Sequence, residues 1–197
     1  LARTPRTLKV QPAGAPRKLS LNEASSAAVC VNVTPEGEII LPSGDIIAIP
    51  GVPVSNPLDA ATFEADCAFA GGVPMGPKEA LLGTVGALGE ALPKMWGDNV
   101  SENPLLGATE QWDFYNFTED AHPVHVHLVQ FRVLNRQITA PDPNNPATPH
   151  AVSLAERGWK DTVISYPGET TSVAATFDRE GLYVWHCHIL EHEDNEM

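Results

Sequence analysis

Residues 183–197 read YVWHCHILEHEDNEM. One of the chain's three cysteines stands between two histidines, and a third histidine and a methionine follow within ten residues. On an extended strand successive side chains leave opposite faces, so His186 and His188 share one face and Cys187 takes the other. The same parity applies to HPVHVH at 122–127. There His125 and His127 point together, and His122, three residues before His125, points away from them. The fold is decided by whether these two stretches are strands, because a helix would scatter the same residues around its circumference.

Outward from these stretches, the rest of the chain favours strands. Eighteen prolines and 15 glycines break up helical windows, and short runs rich in Val, Ile, Thr and aromatics recur between turn residues. Candidate strands are 17–23, 27–34, 37–50, 109–117, 124–137 (VHVHLVQFRVLNRQ), 161–167, 169–178 and 182–189. Segment 77–93, PKEALLGTVGALGEALP, has helix-forming residues but glycines at 83, 86 and 89, each costing about 1 kcal/mol in a helix. It reads as a loop with at most a helical turn. Residues 51–76 and 138–152 read as Pro-rich surface loops beside a site. The profile is that of an all-β sandwich or barrel.

At 197 residues the chain is expected to form a single domain. Asp and Glu outnumber Lys and Arg by 25 to 12, a formal charge of −13. Such a field repels phosphate backbones and anionic headgroups, which argues against nucleic acid as a partner. No apolar run reaches the roughly 18 residues needed to span a bilayer, so a soluble protein with no membrane association is expected. The chain opens on Leu1, which fits a processed piece of a longer precursor.

Six of the seven histidines fall in the two clusters. Parity sets His122 and Cys187 apart from His125, His127, His186 and His188, and His192 and Met197, which follow the strand, are grouped with the first pair. One thiolate, two imidazoles and a thioether are the donors of a blue-copper electron-transfer site, with HEDNEM (192–197) turning back as a loop to bring His192 and Met197 round. Four imidazoles suit copper, zinc or iron, and donor type alone leaves the second metal open. A structural zinc site would ordinarily use more than one thiolate. The His-Cys-His run would let an electron arriving at Cys187 leave through the backbone toward His186 and His188. Cys30, Cys67 and His150 read as ordinary core residues, with a Cys30–Cys67 disulfide left open.

HPVHVH and HCHILEHEDNEM resemble the C-terminal copper motifs of the multicopper oxidases, near the bacterial group of spore-coat laccases, bilirubin oxidases and phenoxazinone synthases. The similarity extends through WGDNVSENPLLGATEQWDFYNF, HLVQFRVLNRQ and GWKDTVISYPGETTSVAATF, covering about residues 95–197. The resemblance implies a cupredoxin-like Greek-key β-sandwich with long Pro-rich loops, and copper as cofactor. It implies type 1 copper on His122, Cys187, His192 and Met197, type 2 copper on His125, and a type 3 pair on His127, His186 and His188. Glu193 matches a carboxylate associated with proton delivery. An axial Met implies a more modest potential than an axial Leu or Phe. The implied activity is a laccase-like oxidoreductase, taking single electrons from phenols, aromatic amines or metal ions and reducing dioxygen to water. A complete trinuclear cluster needs eight histidines, so N-terminal cupredoxin domains of the same precursor are the expected partners. The alternative is a stand-alone blue-copper electron carrier or copper-binding module. Copper and a disulfide would both suit an extracytoplasmic or secreted location.

Overall fold

The computed structural model describes residues 12, 14–25, 30–33, 39–40, 72–74, 77–140 and 147–197. The chain divides into two compact units, residues 1–22 with 80–197, and residues 23–79. In the second unit, β2 (Cys30–Val33) pairs antiparallel with β3 (Ile39–Ile40) and β4 (Gly72–Pro74). Cys67 and the side chain of Cys30 lie outside the described residues, as does most of segment 51–76, expected to be a loop, in which residues 72–74 instead form β4.

The first unit is an all-β, cupredoxin-like sandwich. Its larger sheet runs β6 (Ala91–Pro93), β5 (Pro77–Val85), β1 (Arg17–Ser25), β7 (Thr109–Asn116), β11 (Glu169–Thr176) and β9 (Phe131–Ile138). β1 lies parallel to β7, and β11 runs antiparallel to both its neighbours. The smaller sheet places β8 (His122–Val126) between β10 (Thr162–Ser165) and β12 (Trp185–Cys187). The two sheets share one apolar core: Leu19, Leu21, Trp112, Phe114, Phe131, Val133 and Val173 from the larger meet Val124, Val126, Val163 and Cys187 from the smaller. Alternation makes this possible, since in β8 His122, Val124 and Val126 are buried while Pro123 and His125 are only half-buried. An irregularity between Ser172 and Val173 leaves Leu134 without a partner on β11. The extra residue restores Arg136 to the row opposite Thr171, so its guanidinium is buried and reaches Ile164 O (2.9 Å) and Glu156.

Three expectations need correction. The run 124–137 is two strands, because the chain crosses between sheets after Val126. A tight turn with Val129 N–H on His127 O (2.7 Å) puts Leu128 at φ 61°, a left-handed conformation that its apolar side chain does not advertise. Segment 77–93 is a hairpin and not a loop. Its glycines mark close approach: a Cβ on Gly83 would lie 2.2 Å from Leu92 O across the β5–β6 pair, and Gly89 takes φ 89° in the turn. HEDNEM is partly helical, beginning inside the single turn α1 (Leu190–Glu193), which closes with Asp194 N–H on Leu190 O. Among the described residues no helix is long and apolar enough to cross a membrane.

Candidate metal centre

β8 is the middle strand of its sheet, and its registers assemble the site. Val124 pairs with both Val163 and Cys187, and His125 pairs with both Thr162 and His186. Every second residue faces the same way, so the Val124 row carries His122 and Cys187 into the core while the His125 row carries imidazoles to the opposite face.

On the core side, Cys187 Sγ lies 3.6 Å from His122 Nδ1 and 3.9 Å from His192 Nδ1, and the two Nδ1 atoms are 3.3 Å apart. Cys187 and His122 are fully buried and His192 nearly so. α1 supplies His192: the turn starts after two residues, His188 and Ile189, that follow β12, and carries the imidazole back to the thiol. Met197 returns to the same place through two backbone hydrogen bonds, Cys187 N–H on Met197 O (2.7 Å) and Met197 N–H on His192 O (2.9 Å), and its side chain is buried in the core. Burial, with the neighbouring His192 second, pushes the His122 imidazole down to about 4, with Asp120 opposing. His122 is therefore neutral at pH 7, the form that offers a lone pair. Three soft or borderline donor atoms converging in a dry pocket fit a transition metal bound through thiolate and imidazole.

On the other face, donor atoms of His125, His127 and His186 lie within 4.8 Å of one another. His127 Nε2 and His186 Nε2 are 3.1 Å apart. The outer nitrogens of His125 and His186 are turned away from this centre. His125 Nδ1 meets Thr162 Oγ1 at 3.0 Å, and that hydroxyl donates to Asp161. His186 Nδ1 meets Cys187 O at 2.9 Å and Glu193 Oε2 at 3.4 Å, both of them acceptors. Such outer partners fix ring orientation and leave the inner nitrogen for a metal. Burial lowers the His125 pKa, with Asp161 opposing. His188 is more exposed, with ring centroids 5.4 Å from His186 and 5.8 Å from His125.

The structure thus brings together His122, Cys187 and His192 in one cluster and His125, His127 and His186 in another, with His188, Glu193 and the Met197 backbone at their margins. His150 does not fit the core reading. Its side chain is 58% exposed, stacked on Tyr166 at 3.7 Å and bonded to Glu169 at 2.7 Å. Sequence reasoning missed Asn116, Thr118 and Thr162, whose side chains hold the imidazoles or the loop before them. Asn-x-Thr at a strand end is a turn signal that could have marked the first two.

Residues 87–197, more than half of the chain, match the family described as multicopper oxidase. The chain belongs to the multicopper oxidase family. Copper is this family's metal, in keeping with the thiolate and imidazole donors of the buried cluster. The chain is 44% identical over 117 residues to a laccase of Bacillus subtilis (strain 168), an alignment covering 53% of this chain and 22% of that protein. It is 47% identical over 95 residues to a laccase of Haloferax volcanii, covering 48% and 15%. Among solved structures, a multicopper oxidase of Campylobacter jejuni described as a metallo-oxidase aligns with a TM-score of 0.49 at 20% identity, covering 100% of this chain and 32% of that one. The chain spans only 22% and 15% of the length of these two curated relatives.

Proposed function

We propose that this chain is the C-terminal cupredoxin-like part of a laccase-like oxidase. In this reading His122, Cys187, His192 and Met197 hold a type 1 copper, His125 serves a type 2 copper, and His127, His186 and His188 serve a type 3 pair completed by N-terminal cupredoxin domains of the same protein. The observation that carries the proposal is the convergence of Cys187 Sγ with two imidazole Nδ1 atoms inside the core, back to back with a second imidazole cluster. Copper bound at these positions supplies one-electron acceptance from phenols, aromatic amines or metal ions and the reduction of dioxygen to water. The chain's own residues define where that happens. Val124, Met197 and the rest of the core exclude water from the thiolate. β12 joins the two clusters through consecutive residues, so His186 and His188 are each one peptide bond from Cys187. Glu193 sits 3.4 Å from His186 Nδ1 with 41% of its side chain exposed, a position from which a carboxylate can exchange protons between solvent and the histidine face.

The second reading, a stand-alone copper carrier, has one observation in its favour: the three donor atoms of the buried cluster, on His122, Cys187 and His192, all come from this chain. Two measurements separate the alternatives. An intense blue charge-transfer band on copper loading, lost in Cys187→Ser, is expected under both; a colourless copper-loaded protein would refute the type 1 assignment. Dioxygen uptake with an aromatic donor is expected only when the N-terminal part is added. Uptake that never appears with that part present would leave the carrier reading.

A further inference from the structure

The surroundings of His122 extend beyond Cys187 and His192. Its other ring nitrogen, Nε2, lies 2.6 Å from the hydroxyl of Thr118, and both groups are buried. Thr118 Oγ1 has three further neighbours: Asn116 Oδ1 at 2.8 Å, Asp120 O at 3.1 Å and Asp120 N at 3.2 Å. The orientation of the Asn116 amide is not arbitrary. Its nitrogen faces two carbonyl oxygens, Asp120 O at 2.7 Å and Ser165 O at 3.0 Å, and its oxygen faces the Thr118 N–H at 2.9 Å. Carbonyl oxygens cannot donate, so the reversed amide would set like against like at all three contacts.

With Asn116 fixed, the Thr118 hydroxyl proton goes to Asn116 Oδ1 at 2.8 Å, the nearer of the two carbonyl-type acceptors, Asp120 O being 3.1 Å away. The hydroxyl oxygen then turns its lone pairs toward Asp120 N–H and His122 Nε2. A hydroxyl that donated to Nε2 instead would leave its lone pair against Asn116 Oδ1 at 2.8 Å, in a buried place where such repulsion is unscreened. Nε2 must therefore carry the imidazole proton, and Nδ1 must be the lone-pair nitrogen. Nδ1 is the atom directed at Cys187 and His192.

We propose that Thr118 is a positioning residue of the buried cluster: oriented by Asn116, its hydroxyl accepts the His122 Nε2 proton and so presents Nδ1 to the metal. The proposal rests on the copper reading above for the identity of the metal, but the tautomer itself is a property of the metal-free chain. The chain from Asn116 to His122 also ties the end of β7 to the start of β8 and, through Ser165, to the end of β10, so the ring is held in place as well as in protonation state.

The test uses the full chain, metal-free at pH 7, with long-range ¹⁵N–¹H correlation of the histidine rings, followed by Cu(II) titration. The wild type and Thr118→Ser, which keeps the hydroxyl, are expected to show His122 protonated on Nε2. Thr118→Val, close in shape but without the hydroxyl, is expected to populate the Nδ1 tautomer and to lose about 10–100-fold in copper affinity, with Thr118→Ser recovering most of it. Thermal melts of the three variants report on folding separately. An Nδ1-protonated His122 in the wild type overturns the proposal even where Thr118→Val does not fold, and so does a Thr118→Val protein with the tautomer and affinity of the wild type. A tautomer that follows the Thr118 hydroxyl in a chain that binds no copper would sink the functional reading while upholding the role of Thr118.

Discussion

Replacing Asn116 by Asp changes one NH2 group to oxygen at nearly constant volume, at a side chain only 1% exposed. The new oxygen would face Asp120 O and Ser165 O across the 2.7 Å and 3.0 Å contacts that the amide nitrogen now bridges. Two hydrogen bonds worth about 1 kcal/mol each are lost, and two carbonyls are left facing a buried anion, so Asn116→Asp is expected to cost about 3–5 kcal/mol at pH 7. The cost depends on pH with a definite sign. Protonating the introduced acid restores one donor, so its folded pKa lies above the unfolded value of about 3.9. Stability from that donor is present below the unfolded pKa and is lost as pH rises through the folded one. Urea unfolding of wild type, Asn116→Asp and Asn116→Ala between pH 4 and 8 measures this. The Asp variant should recover toward the wild type on acidification, and the Ala variant should keep a constant deficit. An Asp variant within about 0.5 kcal/mol of wild type at pH 7, or a deficit flat with pH, would refute the hydrogen-bond assignment.

Three further outcomes are expected. Glu156, paired with the buried Arg136 guanidinium, has its pKa lowered from 4.5 to about 2, chiefly by that hydrogen bond. A depressed carboxylate stabilises above its unfolded pKa, so Glu156→Gln should cost about 1–2 kcal/mol at pH 7 after allowing for solvent screening, and the difference should vanish as pH falls from 4.5 through 2 in urea titrations. Gly83→Ala places a methyl 2.2 Å from Leu92 O, so it should destabilise the chain by about 1–3 kcal/mol in the same assay and leave copper binding intact. Met197→Leu should raise the reduction potential of the copper-loaded chain in a redox titration, because the axial ligand tunes it.

The separation of His122 and Cys187 from His125 and His186 onto opposite faces was legible because it depends only on strand parity, whereas His192 is carried by α1 and lay beyond that rule. The same simplicity explains the failures. Parity says nothing about where a strand stops, and Leu128, apolar and without turn chemistry, sits at the corner between sheets. The glycines at 83, 86 and 89 are helix breakers, but they break the helix in favour of a hairpin whose strands approach too closely for a side chain. Asn-x-Thr could mark a turn at Thr118, but the roles of Thr118 and Thr162 were not legible because a hydroxyl acquires its role only from the ring placed beside it by the fold. His150 reads as a core residue by its type, while its neighbours Tyr166 and Glu169 hold it at the surface.

X-ray absorption at the copper edge, on the full chain carrying one copper, bears most directly on the central claim. The account predicts a first shell of one close sulfur and two imidazole nitrogens, with the sulfur lost in Cys187→Ser. A shell of nitrogen and oxygen alone in the wild type would contradict it.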